Sequence, residues 1–283
     1  MIFEKKRVYI VVKTYPTISK EYSELVCTAG ILEDGSWIRL YPIPFRKLDF
    51  DQKYPKFTWS EMSVARNTSD FRPETYRPDL STIKVEPQPK NKKIDWDERR
   101  EIVFKNKKIY TNLEELINKA KSDGTSLAVF KPTRILDFIA KEVDRDWDSD
   151  KLSILKGLSR QIELFQTPEE ITEEFKIVPK VPYKFSYKFE DNVGKQSTLM
   201  IEDWETGMLY MKCLKAANGD ESVAIAKVRE KYFDYFLTRD LYFFMGTTKQ
   251  HHNLAKNPFI IIGAFYPPMQ TTPPYKQLSI SDF

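Results

Sequence analysis

Residues 23–45 read SELVCTAGILEDGSWIRLYPIPF, and this stretch sets the expected fold. Apolar residues Leu25, Val26, Ala29 and Ile31 precede Asp34-Gly35, and Trp37, Ile38, Leu40 and Tyr41 follow it. An Asp-Gly pair between apolar runs predicts a tight hairpin, in which both central turn residues take positive φ. Alternation along the second strand puts Trp37, Arg39 and Tyr41 on one face and Ile38 and Leu40 on the other. A ring–arginine–ring face on a small sheet is one means of holding a nucleic acid, with rings stacked on bases and guanidinium on phosphate. The same pattern also describes an ordinary sheet face beneath a loop. Pro42 and Pro44 predict a rigid exit that cannot continue a sheet ladder.

Outward from the hairpin, the pattern runs β, then α, then β. The near-continuous apolar run at 7–13 (RVYIVVK) predicts a strand buried on both faces. Residues 14–22 form a hydroxyl-rich loop, 56–63 alternate as a strand, 70–78 (DFRPETYRP) are an extended loop, and 81–86 are a further strand. Residues 95–106 and 112–122 each start with a capping side chain followed by carboxylates, which predicts two helices. Strand character lies on both sides of Pro132, and Thr167-Pro168-Glu169-Glu170 marks a short helix start. A second hairpin is expected over 183–202 around Gly194, a helix over 222–237, and strands at 240–245 and 258–265. No repeat of fixed period is present.

The expected class is α+β, with two small β-barrel-like units, OB-like or PUA-like, and helical segments between and within them. The divisions are 1–90 for the first unit, 91–179 for a mainly helical middle, 180–268 for the second unit with one helix, and 269–283 for a loosely held tail. A single α+β domain is the alternative, and the segregated strands argue against a doubly wound sheet.

The 283 residues, 41% hydrophobic, suit one large domain or two small ones. The 19 Phe and 15 Tyr favour β structure over a helical bundle. The net charge of +4 is mildly basic and lacks the clustered patch of a strong nucleic-acid binder. No apolar run long enough for a membrane span is present, nor a signal-peptide pattern. Cys27 and Cys213 lie far apart and read as buried thiols, which fits a reducing, cytoplasmic location. The two histidines, His251 and His252, are adjacent, and no CxxC pair exists, so no zinc site is expected. Phosphate-cradling GxxxxGK[ST] and GxGxxG loops are absent, and no cofactor is expected.

Two loops bunch hydroxyls beside bases and are candidate phosphate grips: one with Lys13, Tyr15 and Ser19, the other with Thr247 and Lys249. Arg72 lies in the extended loop between Phe71 and Tyr76, as a gripping arm or a strap. The basic residues of 84–108 are diluted by acids and read as a solvated helix face. Asp203 and Glu205, with Glu24 elsewhere, are the candidate catalytic carboxylates, and in that case Mg²⁺ would be the cofactor. Surface acids or a helix N-cap are the preferred reading of Asp203 and Glu205. The C-terminal QLSISDF, with Gln277, Ile280 and Phe283, fits a peptide that docks on a sliding clamp.

At SELVCTAG with GSWIRLYPIPFR, and again at DLYFFMGT with NPFIIIGAFYPP, the chain resembles a family of uncharacterised prokaryotic proteins with dual-OB-like domains, often encoded near mobile or phage-defence genes. The resemblance implies a nucleic-acid partner, DNA or RNA, with Trp37, Arg39 and Arg46 on the first barrel and Thr247 and Lys249 on the second as contacts. Three functions follow as expectations. One is a module that recognises nucleic acid, including modified or single-stranded DNA, in a defence or repair system. The others are a metal-dependent enzyme acting on nucleic acid or nucleotides, and a protein-interaction scaffold.

Overall fold

The computed structural model describes residues 2–19, 23–88, 93–149 and 178–270. Seven strands come first: β1 (Glu4–Lys13), β2 (Thr17–Ser19), β3 (Ser23–Leu32), β4 (Trp37–Ile43), β5 (Thr58–Arg66), β6 (Thr75–Pro78) and β7 (Lys84–Val85). Their order is β1-β3-β4-β6-β5, and β5 pairs back onto β1, so five strands close into a barrel. Closure removes the open edges that would otherwise template pairing with another chain. Val8, Ile10, Ile38, Leu40, Met62 and Val64 fill the interior.

The hairpin forms where the sequence places it, with a different turn. Only Gly35 takes positive φ, at 89°. Gly35 N–H donates to Leu32 O and Leu32 N–H to Ser36 O, both at 2.9 Å, which is a three-residue loop closed by a left-handed glycine. Asp34 instead accepts from Ser36 N–H at 2.8 Å. The Pro42 exit also differs: β4 runs through Pro42, and Ile43 pairs with Val26 past a bulge between Val26 and Thr28.

The remaining strands are β8 (Ile109–Tyr110), β9 (Leu127–Phe130), β10 (Arg134–Glu142), β11 (Tyr183–Glu190), β12 (Gln196–Met200), β13 (Tyr242–Thr247) and β14 (Phe259–Phe265). They form two sheets, β14-β13-β9-β8 and β10-β11-β12, and among the described residues no second barrel closes. The helices are α1 (Trp96–Phe104), α2 (Leu113–Asp123), α3 (Trp204–Ala216) and α4 (Glu221–Arg229), the last running into a π-helical turn at Glu230–Tyr235. Asp95, Asn112, Asp203 and Asp220 cap them, each accepting a backbone N–H of the first turn.

The four-stranded sheet is the middle layer, buried on both faces. On β13, Tyr242 and Phe244 face the barrel, where they meet Val11, Ile31 and Leu127. Phe243 and Met245 face the other way, onto Phe189, Tyr210 and Tyr232 of the three-stranded sheet and helices. Alternation with both faces apolar is what a central strand requires. Consequently the outer face of β4 is covered: Trp37 packs edge-to-face on Phe244, with centroids 6.0 Å apart. Cys27 and Cys213 are free and half-buried rather than fully buried. No helix among the described residues is long and apolar enough to cross a membrane.

Candidate nucleic-acid interface

One part of the barrel's outer wall stays open. β1 and β5 pair with Tyr9 opposite Trp59, whose rings lie 5.1 Å apart. Phe57, just before β5, adds a third ring 6.3 Å from Tyr9. Helix α1 runs alongside, and the guanidinium of its Arg99 sits 4.3 Å above the Phe57 ring. At the other end the Arg7 guanidinium lies 4.3 Å above Trp59, held there by Glu86 at 2.6 Å. Lys93 and Gln88 are exposed on the rim of the resulting groove of about 260 Å³, with Asp95 and Glu98 on its helix side. Burial pushes the Tyr9 hydroxyl up to about 12, against the pull of Arg99, so it stays a neutral donor. Tyr9, 4% exposed, forms the floor of the groove, and the half-buried Phe57 and Trp59 rings with the Arg99 guanidinium line its open side, a combination that can stack bases and neutralise phosphate.

The groove ends at a buried charge cluster. Lys56, 3% exposed, places Nζ 3.0 Å from Asp203 Oδ2 and 3.3 Å from Glu205 Oε2. Burial opposes its charge, but the two carboxylates outweigh burial and hold Lys56 protonated. Lys13 lies close by, donating to Tyr54 O at 3.1 Å with Nζ 4.5 Å from the Phe45 ring. Burial and the neighbouring Lys56 bring its pKa down to about 8. Beyond Asp203 opens a second cavity of about 310 Å³, walled by Tyr15, Trp147 and Tyr183, with Glu202 and Thr206 at its polar end.

The placement of the expected site residues divides sharply. Arg39 is the main correction: it is 1% exposed, donating to Ser126 Oγ at 2.6 Å and Ser126 O at 3.0 Å, because the middle sheet covers the β4 face. A group so enclosed reaches no ligand. Trp37 is half-buried beneath that sheet, with Lys107 Nζ 5.1 Å from its ring, and Tyr41 is half-buried on the same side. Arg72 is the strap rather than the arm, buried against Asp70 at 2.6 Å and donating to Thr247 O. Thr247 is buried too, its hydroxyl 2.7 Å from His252 Nδ1, whereas Lys249 is exposed. The expected phosphate grip at Thr247 is therefore a structural clasp.

Arg46 is tied to the buried Glu24 at 2.7 Å, and burial raises the Glu24 pKa against that pull. Tyr15 is half-buried, its hydroxyl donating to Pro179 O at 2.8 Å. Ser19 pairs with Ser23 through the backbone, and its side chain lies outside the described residues, as do the Thr167 helix start and Gln277, Ile280 and Phe283. Asp203 and Glu205 do come together, but through the cap of α3 rather than along a strand. The position between them holds Lys56, not an open cation site. Among the described residues no group of three or more His, Cys, Asp or Glu is gathered to hold a metal. Missing from the sequence reading were Tyr9, Phe57, Trp59 and Arg99. The signal for them was the alternation in KFTWSEMS together with YIVV of β1, two strands whose pairing spans some fifty residues.

The fold and site define a five-stranded barrel packed against a layered α+β half, with an aromatic–arginine groove on the barrel wall. The chain belongs to the family described as "Domain of unknown function (DUF8757)", which matches residues 110–281. A second description, "Domain of unknown function (DUF8758)", matches residues 4–105. No curated protein matches the chain. A solved structure described as "Structure of murine DNA binding protein bound with ds DNA" aligns over 96% of this chain and 98% of its own, at 10% identity and a TM-score of 0.30. A likeness that low carries no argument about this chain.

Proposed function

We propose that the protein binds single-stranded nucleic acid along the groove between β1, β5 and α1. The observation that supports this is the set of three adjacent rings, Tyr9, Phe57 and Trp59, with the Arg99 and Arg7 guanidiniums each 4.3 Å from a ring face. Bases stack on such rings whatever their sequence, at about 1–3 kcal/mol per base. A duplex, whose bases are already stacked, gains nothing from them. The enzyme reading is less well served, since Lys56 neutralises Asp203 and Glu205 and fills the place a divalent ion would take.

Fluorescence polarisation with labelled 12-mers of single-stranded DNA, single-stranded RNA and duplex DNA, at rising salt, tests the proposal. Single strands should bind more tightly than duplex, and Trp59→Ala should weaken binding by about 5- to 100-fold. Arg99→Ala should lower the salt slope by about 0.7, one phosphate contact's worth on a single strand. Equal affinity for duplex, or no effect of Trp59→Ala, would remove the groove from the account.

A further inference from the structure

The second cavity is built differently from the groove. Its walls are three rings, each anchored by a hydrogen bond at its polar end. Tyr15 Oη donates to Pro179 O at 2.8 Å, Trp147 Nε1 to Val178 O at 2.8 Å, and Tyr183 Oη to Glu221 at 2.7 Å. Tyr15 is further seated on Gly207 of α3, where a Cβ would meet its ring at 2.3 Å. The ring faces are therefore held in place before any ligand arrives, which lowers the entropy cost of stacking.

The polar end supplies two hydrogen-bonding side chains. Thr206 Oγ1 is buried, with the Tyr232 hydroxyl as its polar neighbour and no hydrogen bond of normal length. Glu202 lines the same end, with Lys184 as its charged neighbour. Burial raises the Glu202 pKa, against the pull of Lys184. A buried polar group left unpaired is costly, and a ligand that pairs it gains correspondingly. At the mouth stand Lys184, exposed, and Lys180, whose Nζ lies 6.0 Å from the Trp147 ring. A cationic ligand is disfavoured there, because the rim already carries two ammonium groups and one of them occupies the approach to Trp147.

Flat walls, a donor–acceptor end and a cationic mouth match one chemical class. We infer that this cavity takes a single nucleotide unit, the base between the rings, its edge on Glu202 and Thr206, and its phosphate at Lys184. The volume of about 310 Å³ is at the small end for ligand sites and leaves room for one such unit. The inference rests on the nucleic-acid reading in one respect: the unit is either a base turned out of a strand lying in the groove or a free nucleotide. Lys56 lines the groove and its ion-pair partner Asp203 lines the cavity, so that pair links the two openings.

The test is calorimetric titration of the full chain with AMP, CMP, GMP and UMP and with the parent nucleosides, followed by competition against the labelled single-stranded 12-mer. Two variants accompany it: Lys184→Ala, at an exposed side chain, and Glu202→Gln, which keeps the shape of the carboxyl. At least one monophosphate should bind more tightly than its nucleoside, Lys184→Ala should remove that difference, and Glu202→Gln should change which base is preferred. Competition with the 12-mer, or variant effects on the 12-mer without binding of any monophosphate, identifies the unit as a base of the strand. Binding without competition identifies a free nucleotide. Monophosphate binding that neither variant changes overturns the assignment of this cavity. So does the absence of monophosphate binding up to about 10 mM with 12-mer affinity unchanged within about twofold in both variants. In that last case 12-mer binding itself would persist and the groove reading would stand, whereas a chain that binds no 12-mer at all refutes the groove reading separately.

Discussion

Replacing Lys56 by Met should destabilise the protein severely, and the reason is electrostatic. The Lys56 and Asp203 side chains are 3% and 2% exposed and meet at 3.0 Å. Removing one member of a buried pair leaves the other charge without compensation, at a cost of about 3–5 kcal/mol. For a chain of this size that corresponds to a fall in Tm on the order of 10 °C. Asp203 in the variant keeps a proton that the unfolded chain gives up, because burial, the largest influence on it, raises its folded pKa and the main opposing charge, Lys56, is gone. Stability from that group is present below the ordinary aspartate value and is lost as pH rises through the folded value, so the deficit should widen from acid toward neutral pH. The double variant Lys56→Met with Asp203→Asn removes both charges while Asn retains a capping side chain for α3. It should recover most of the loss. Urea titrations of the three proteins at two pH values read this directly. A single variant within about 1 kcal/mol of the parent, or a double variant no better than the single, would refute the view that the pair exists to be neutralised.

Arg39→Lys should lower stability by about 2 kcal/mol or more, because an ammonium cannot reproduce the planar fork that meets Ser126 Oγ and Ser126 O; an unchanged melting curve would return Arg39 to the candidate ligand contacts. Burial brings Lys13 and Lys107 down to about 8, so the folded chain sheds protons that the unfolded chain keeps, and stability should rise with pH from about 8 toward the ordinary lysine value. Burial pushes Tyr9 and Tyr15 up to about 12, so above about pH 10 the unfolded chain loses protons that the fold retains, and stability should fall. A urea midpoint that declines steadily from pH 8 to 10 would contradict these environments. His252→Leu should loosen the clasp between the β13–β14 connection and α2, since His252 links Thr247 Oγ1 to Ala120 O; faster backbone exchange confined to that loop is the expected readout.

The first barrel was legible in its hairpin and in the face assignment of β4, where Ile38 and Leu40 fill the interior and Trp37, Arg39 and Tyr41 point outward. What lies outside that face was not legible. Phe244 and Ser126 come from far along the chain, and local alternation reports which residues share a face but not what covers it. The same limit hid the groove, whose rings belong to strands joined only by the closure of the barrel. The helix N-cap read at Asp203 and Glu205 is where α3 starts, but the helix itself was not assigned over 204–216, since Glu202-Asp203-Trp204-Glu205 also reads as the end of a strand. The strands of the last segment were each recognisable, but their grouping into two open sheets depended on β9 and β10, which join β13 and β11 from the middle of the chain. Paired carboxylates likewise gave no hint of Lys56, since its ammonium arrives from the barrel, some 150 residues earlier in the chain.

The most direct measurement is photocrosslinking of a 5-iodouracil-substituted single-stranded 12-mer to the full chain, with the attachment sites located by mass spectrometry. Crosslinks should map to Phe57 and Trp59, and should disappear from the 57–59 peptide in the Trp59→Ala and Phe57→Ala variants. Crosslinks confined to the 247–257 loop, or to no aromatic residue between β1 and α1, would contradict the claim that the barrel wall is the nucleic-acid surface.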